Sequence, residues 1–255
     1  MTQPFRKYRE TGKRLTMLTA YDAATAALLE EAGIDLILVG DSLGNVFQGA
    51  ETTRVVTMEQ MEYHIRAVRA GAQKTFVIGD MPHLSYETAE TAVVNARRLK
   101  DAGCDAVKLE GFTTGIVKAV TDAGIPVCAH IGLLPQTAED FKVRGKEESE
   151  KIRLKAEAQA LCREGAFMTV IECTSAALAA EITESIAIPT IGIGAGNRCD
   201  GQVLVINDML GMKAARGAKF VRRYADLHSV ITNAVKTYIG DVQSGSYPAE
   251  AESYR

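Results

Sequence analysis

The 255-residue chain lacks the marks of several protein classes. No apolar run approaches the roughly 20 residues needed to cross a bilayer. The opening Met1–Glu10 has no apolar stretch, so no secretory signal is expected. Cysteine is sparse and unpatterned: Cys104, Cys128, Cys162, Cys173 and Cys199 are odd in number and show no C-x-x-C spacing. That fits reduced thiols of a cytosolic protein better than a disulfide framework or a zinc site. Neither charge dominates, since 29 Lys and Arg face 32 Asp and Glu, so no electrostatic footprint points to nucleic acid or an anionic membrane. A Walker loop and a G-x-S-x-G elbow are both missing. Gly192-Ile-Gly194-Ala-Gly196 is not a dinucleotide fingerprint, and is expected to let backbone approach a ligand or a neighbouring helix closely. With 47% hydrophobic and 24% charged residues, the composition is that of an ordinary globular protein with a sizeable core.

One pattern recurs along the chain. A helical stretch closes on a small residue and Gly, and a short β-branched or apolar run follows. Examples are Glu31-Ala-Gly33-Ile-Asp35 before Leu36–Val39 and Asp101-Ala-Gly103-Cys-Asp105 before Ala106–Leu109. Asp122-Ala-Gly124-Ile-Pro126 precedes Val127–Ala129, and Arg163-Glu-Gly165-Ala-Phe167 precedes Met168–Ile171. Each Gly falls where a helix end wants a left-handed residue. The pattern predicts strands near 15–19, 36–39, 75–79, 106–109, 127–131, 168–171 and 189–193, with an eighth near Lys219–Val221. Helices are expected over Glu87–Lys100 and Glu147–Arg163. Strands alternating with helices imply a parallel sheet, and eight strands in about 250 residues match a (β/α)8 TIM barrel. A doubly wound sheet shares the same local pattern. No Pro/Ser-rich linker or charge run divides the chain, which reads as a single domain with a polar tail, Gln243–Arg255, on the surface or at a subunit contact.

Chemistry collects where the strands end. Asp41 and Ser42 follow the second strand, Asp80 the third, Glu110 the fourth, His130 the fifth and Glu172 the sixth. In a parallel barrel these ends open onto one mouth, where active sites are built. One such acid is ordinarily a loop or cap residue. Four carboxylates with Lys108 and His130 are more than capping requires, because crowded like charges repel unless a cation or a raised pKa relieves them. A hard divalent cation with oxygen ligands is the simplest relief; Mg²⁺ suits better than zinc, which favours nitrogen and sulfur. Lys108 and Glu110 stand two apart on one strand and so share a face. Read by themselves, they equally fit a solvated pair at the rim. His64 and His228, in helical stretches, are expected to be surface or satisfied histidines. Cys173 is expected to be buried and inert.

The same residues carry a family resemblance. Thr19-Ala-Tyr21-Asp22, Val39-Gly-Asp41-Ser42-Leu-Gly44, Gly79-Asp80-Met-Pro82 and Val107-Lys108-Leu-Glu110-Gly111 stand in this order. Pro126-Val-Cys-Ala-His130-Ile-Gly132, Ile171-Glu172-Cys173, Ile191–Gly196 and Tyr247-Pro248 follow. Collinear from about Tyr8 to Tyr254, they resemble the 3-methyl-2-oxobutanoate (ketopantoate) hydroxymethyltransferase family of pantothenate biosynthesis, in the phosphoenolpyruvate mutase/isocitrate lyase group of barrels. The resemblance implies Mg²⁺ at Asp41, Asp80 and Glu110, and a 2-oxo acid held by Asp41, Ser42, Asp80 and Lys108 in a pocket lined by His130. It implies Glu172 as general base and 5,10-methylenetetrahydrofolate as one-carbon donor. A cytoplasmic homo-oligomer, decameric in many members, is implied as well.

The chain departs from the family pattern around the expected mouth. Asn45 replaces a frequent Met, Thr53-Arg-Val-Val-Thr57 a usual Thr-Leu-Pro-Val-Thr, His83 a common Phe and Phe112 a second Gly. Ala218 stands in place of Pro, and the segment after Gln136 is shorter than the Gly-rich loop usual there. These changes leave two other readings open beside the hydroxymethyltransferase. One is a divergent Mg²⁺-dependent 2-oxo acid lyase or aldolase of the same group. The Lys-Lys-Cys-Gly-His lid signature of the isocitrate lyase branch is missing. The other is a non-catalytic metal and oxo-acid binder, for which a base at Glu172 would have no use.

Overall fold

In the computed structural model, which describes Phe5, residues 8–214 and residues 217–254, the chain forms a closed parallel barrel. Its strands are β1 (Leu15–Thr19), β2 (Leu36–Val39), β3 (Phe76–Asp80), β4 (Ala106–Glu110), β5 (Val127–Gly132), β6 (Met168–Glu172), β7 (Thr190–Ile193) and β8 (Gly201–Leu204). They pair in sequence order, and β8 closes on β1. The longer helices between strands are α1 (Ala23–Glu31), α2 (Met58–Gly71), α3 (Ala89–Ala102), α4 (Ile116–Asp122), α5 (Glu148–Arg163) and α6 (Ala176–Ser185). The fold is a (β/α)8 barrel, as expected. Most of Met1–Glu10, where no secretory signal is expected, lies outside the described residues.

The glycines of the recurring junction take the conformation that selects them. Gly33, Gly103, Gly124 and Gly165 have φ of 79°, 120°, 80° and 97°, a region where a Cβ is disfavoured. A second device lies at the strand starts. Asp35, just before β2, accepts the Thr16 backbone N–H of β1 (2.9 Å). Asp105, just before β4, accepts the Val77 N–H of β3 (2.9 Å), and Asp200, just before β8, that of Thr190 in β7 (2.8 Å). Before β6 the corresponding residue is Phe167, whose ring lies 6.0 Å from Phe5 and 5.8 Å from Phe76. This aromatic cluster joins Leu15, Leu36, Ile78, Met168 and Ile191 in the core. Phe167 is 4% exposed, so Phe167→Ala is expected to cost roughly 3–5 kcal/mol in urea unfolding. A cost below about 1 kcal/mol would contradict a close-packed barrel floor.

One strand differs from expectation. The eighth is Gly201–Leu204, whereas residues 219–221 lie in a turn. The reason is visible in the strand itself: it is four residues long, opens with Gly-Gln and turns one polar side chain outward, so it carries little apolar signal. No helix separates β7 from β8, which removes the alternation that marks the other strands.

The chain divides into two compact units, Met1–Val205 and Ile206–Arg255. The first holds all eight strands. In the second, α7 (Leu227–Ser244) starts at Asp226, whose carboxylate accepts the Ser229 N–H, and ends at Gly245 with φ 75°. It buries none of its residues and leaves Ile231, Val235, Tyr238 and Val242 exposed at helical spacing. Residues 243–254 are exposed throughout. Among the described residues, no helix is long and apolar enough to cross a membrane.

Candidate active site

Strand alternation decides what the barrel mouth contains. Side chains two apart share a face, so the interior columns run Phe76, Ile78, Asp80 on β3 and Ala106, Lys108, Glu110 on β4. They run Cys128, His130 on β5 and Met168, Val170, Glu172 on β6. The lower members of each column belong to the hydrophobic core, and the uppermost are all ionisable. Register aligns Asp80 with Lys108, Glu110 with His130, and Gly132 with Glu172. Asp41 and Ser42 stand just past the end of β2.

These side chains form one buried network. The Lys108 ammonium donates to both oxygens of Asp80 at 2.8 Å and lies 3.8 Å from Glu110 Oε1. The Asp41 backbone N–H donates to Asp80 Oδ2 (3.2 Å). His130 lies between two carboxylates, with Nδ1 3.4 Å from Glu110 and Nε2 3.2 Å from Glu172. These are ion-pair separations whose angles fall short of hydrogen bonds. Side-chain exposure is 2% for Asp80, Glu110 and His130 but 18% for Glu172, which places Glu172 toward the open mouth. Ser42 shares a hydrogen bond of 2.9 Å with the Tyr21 hydroxyl.

Charge is unevenly compensated. Burial, reinforced by the Asp80 charge, pushes the Asp41 carboxyl up to about 8 despite Lys108. Burial also raises Asp80, although Lys108 opposes it. Glu110 is lowered: burial works against this, but His130 and Lys108 outweigh it. Burial and Lys108 oppose protonation of His130, and Glu110 and Glu172 prevail, lifting it to about 9. The cluster therefore has room for further positive charge. Among the described residues, no three His, Cys, Asp or Glu side chains are grouped closely enough to hold an ion as they stand; the Lys108 ammonium lies among the acids. The donor set, three carboxylates without a thiol, fits a hard oxygen-seeking cation.

Gln136 and Tyr86 belong to this network and were not foreseen. Gln136 is fully buried; its backbone N–H donates to Glu110 Oε2 (3.0 Å) and its Nε2 to Asp41 Oδ2 (2.9 Å). Tyr86 donates to Gln136 Oε1 at 2.5 Å. Neither ends a strand, and an uncharged loop residue gives no spacing signal. Of the other residues singled out, His64 is buried and satisfied, with Nδ1 2.6 Å from the Tyr21 carbonyl, and His228 is exposed. Cys173 is half-buried, and burial together with the Glu172 charge raises its thiol to about 11, against any role as a nucleophile.

The backbone beside Glu172 is held closely. Cys173 has φ 44°, a left-handed value rare outside glycine. It is pinned on both sides, its N–H donating to Ile193 O (2.8 Å) and its C=O accepting from Arg144 N–H (2.7 Å). Across from it, Gly132 has φ 95°, and a Cβ there would stand 2.3 Å from the Glu172 carbonyl oxygen. Gly132→Ala is expected to displace Glu172 and to lower turnover at least tenfold, with a reduced melting temperature; wild-type kinetics would show that β6 tolerates the shift. A cleft of about 360 Å³ opens beside Gly132, bounded by Leu134, Ala138, Arg144 and Arg153.

Comparison with known proteins agrees with this arrangement. The profile of the family described as ketopantoate hydroxymethyltransferase matches residues 1–250. The chain is 51% identical to the 3-methyl-2-oxobutanoate hydroxymethyltransferase of Chlorobium phaeobacteroides (strain BS1), over 96% of this chain and 93% of that protein. It is 51% identical to the protein of the same name from Desulfotalea psychrophila, over 96% and 90%. Among solved structures, phosphonopyruvate hydrolase in complex with oxalate and Mg²⁺ superposes with a TM-score of 0.64 at 14% identity, covering 98% of this chain and 92% of that one. 2,3-Dimethylmalate lyase, a member of the phosphoenolpyruvate mutase/isocitrate lyase superfamily, gives 0.63 at 14%, over 99% and 91%. At such identity these two likenesses concern the fold. The full-length profile match and the half-identical relatives go further: this chain belongs to the ketopantoate hydroxymethyltransferase family of enzymes.

Proposed function

We propose that this enzyme transfers a hydroxymethyl group from 5,10-methylenetetrahydrofolate to 3-methyl-2-oxobutanoate, giving 2-dehydropantoate and tetrahydrofolate. The observation that supports this most is the single ring formed at the mouth by Asp41, Asp80, Lys108, Glu110, His130 and Glu172. Asp41, Asp80 and Glu110 would hold Mg²⁺, which when bound supplies Lewis-acid stabilisation of negative charge on the keto oxygen. Asp41, Ser42, Asp80 and Lys108 hold the oxo acid, the ammonium offsetting anionic charge from within the ring. Glu172, the ring's more open acid, removes the C3 proton. His130, between Glu110 and Glu172, lines the pocket and orients the base. The C3 carbanion attacks the folate methylene carbon; one C–C bond forms, both C–N bonds of the methylene bridge break, and water supplies the hydroxyl. Tetrahydrofolate leaves with its two nitrogens protonated by the proton taken up by Glu172 and the second proton of the water. The cleft beside Gly132 offers the donor adjacent space.

The domain reading, one barrel domain carrying the C-terminal residues with it, belongs to the same proposal. So do the cytoplasmic setting, for which the five free cysteines speak, and a homo-oligomer, for which the exposed apolar stripe of α7 speaks. The test of the reaction is product analysis by mass spectrometry. 2-Dehydropantoate is expected only when enzyme, Mg²⁺, oxo acid and folate donor are all present. Cleavage or condensation of a 2-oxo acid without the folate would overturn the proposal in favour of a lyase or aldolase. Mg²⁺-dependent binding without any turnover would overturn it in favour of a binding protein.

A further inference from the structure

Arg54 is one of the departures from the family pattern, and the structure gives it a specific task. It lies between β2 and β3, with Nε donating to the Gln136 carbonyl (2.8 Å) and Nη2 to the Ala138 carbonyl (3.0 Å). Its two donors thus hold the start of the shortened segment after β5. Gln136 itself ties several strand ends together. Besides its bonds to Glu110 and Asp41, its Nε2 donates to the Met81 carbonyl just past β3 (2.9 Å), while Oε1 accepts from Tyr86. The amide orientation is unambiguous, because the reverse would set an oxygen against the Asp41 carboxylate and the Met81 carbonyl. Each polar atom of this buried side chain is thereby satisfied.

We propose that Gln136, held by Arg54 and Tyr86, is a positioning residue that fixes the carboxylates of Asp41 and Glu110 for a divalent cation. By occupying Asp41 Oδ2 and Glu110 Oε2, it sets the rotation of both groups and leaves Glu110 Oε1 facing Lys108 and His130. Ligand carboxylates held by outer hydrogen bonds lose less freedom when an ion binds, and removing such partners typically weakens metal binding 10–100-fold. Arg54 supplies from a neighbouring connection the anchor that the shortened segment needs. The inference rests on the proposed Mg²⁺ reading of the ring.

The test is Mg²⁺ titration by calorimetry on the full chain, with urea unfolding of the metal-free proteins measured alongside. Gln136→Met, which keeps the volume and the backbone N–H to Glu110 but removes the side-chain donor to Asp41, is expected to weaken Mg²⁺ binding roughly 10–100-fold. Arg54→Leu is expected to weaken it about tenfold with little change in the metal-free urea midpoint, and Arg54→Lys to recover part of the loss. Should Gln136→Met fail to fold, Arg54→Leu decides, since Arg54 is exposed. Wild-type affinity in folded Gln136→Met or in Arg54→Leu overturns the positioning role and leaves the reaction proposal standing. If the wild-type chain binds no divalent ion, the Mg²⁺ reading falls and takes this inference with it.

Discussion

Glu172→Gln is expected to lower turnover by roughly 10²–10⁴-fold while leaving Mg²⁺ and oxo-acid binding within a few-fold of wild type, the scale set by removal of a general base. Glutamine keeps the shape of the side chain and its approach to His130 Nε2, now 3.2 Å from Glu172 Oε2, but it cannot take a proton. The separation of effects follows from position. Asp41, Asp80, Glu110 and Lys108 interlock on one side of His130, and Glu172 stands on the other. Steady-state kinetics paired with calorimetric titration of both ligands check this. Turnover within tenfold of wild type would remove Glu172 from the base role. A parallel collapse of Mg²⁺ binding would make it part of the ion site.

Lys108→Met has the largest expected effect on stability. The ammonium is buried and bonded to both oxygens of Asp80, with Glu110 at 3.8 Å. Removing one partner of such a buried group leaves carboxylates uncompensated, and destabilisation of roughly 3–5 kcal/mol is expected. Mg²⁺ is expected to restore part of that loss, because an ion at the three acids replaces the missing positive charge. Urea unfolding at matched protein concentration, with and without Mg²⁺, reads both effects. Unchanged stability would mean that Asp80 and Glu110 accommodate the loss by binding protons. Turnover is expected to fall as well, because the proposed reaction has Lys108 offset the charge of the oxo acid.

Much of the barrel is legible in the sequence because local chemistry repeats with the fold. The Ala-Gly and Glu-Gly junctions mark helix ends by the positive φ that Gly33, Gly103, Gly124 and Gly165 adopt, and the runs that follow include β2 and β4, which are buried on both faces. β8 escapes because Gly201–Leu204 is short, half polar and joined to β7 without a helix. The ring is legible for a related reason. A charged residue at the end of an apolar run has few structural reasons to be there, and five runs end that way. Asp80, Glu110 and Glu172 prove to be the last residues of their strands, which gives each the parity of the core residues below it.

Gln136 and Arg54 show where such reading stops. Their roles depend on contacts across 82 and 95 positions of sequence, which neither periodicity nor spacing encodes. Arg54 is visible only as a departure from the family pattern, and its partner carbonyls become visible only once the barrel has closed. The left-handed Cys173 is equally silent, since nothing in Glu172-Cys173-Thr174 asks for positive φ. Tertiary hydrogen bonds at Ile193 and Arg144 impose it.

The most direct measurement is proton NMR of 3-methyl-2-oxobutanoate in D₂O with Mg²⁺, using the wild-type chain and Glu172→Gln, before any folate is added. Enolisation at this ring predicts that the wild-type protein erases the C3 proton signal while the variant leaves it intact over the same time. Persistence of the signal with the wild-type protein, or its loss at an equal rate with Glu172→Gln, would contradict proton abstraction by Glu172.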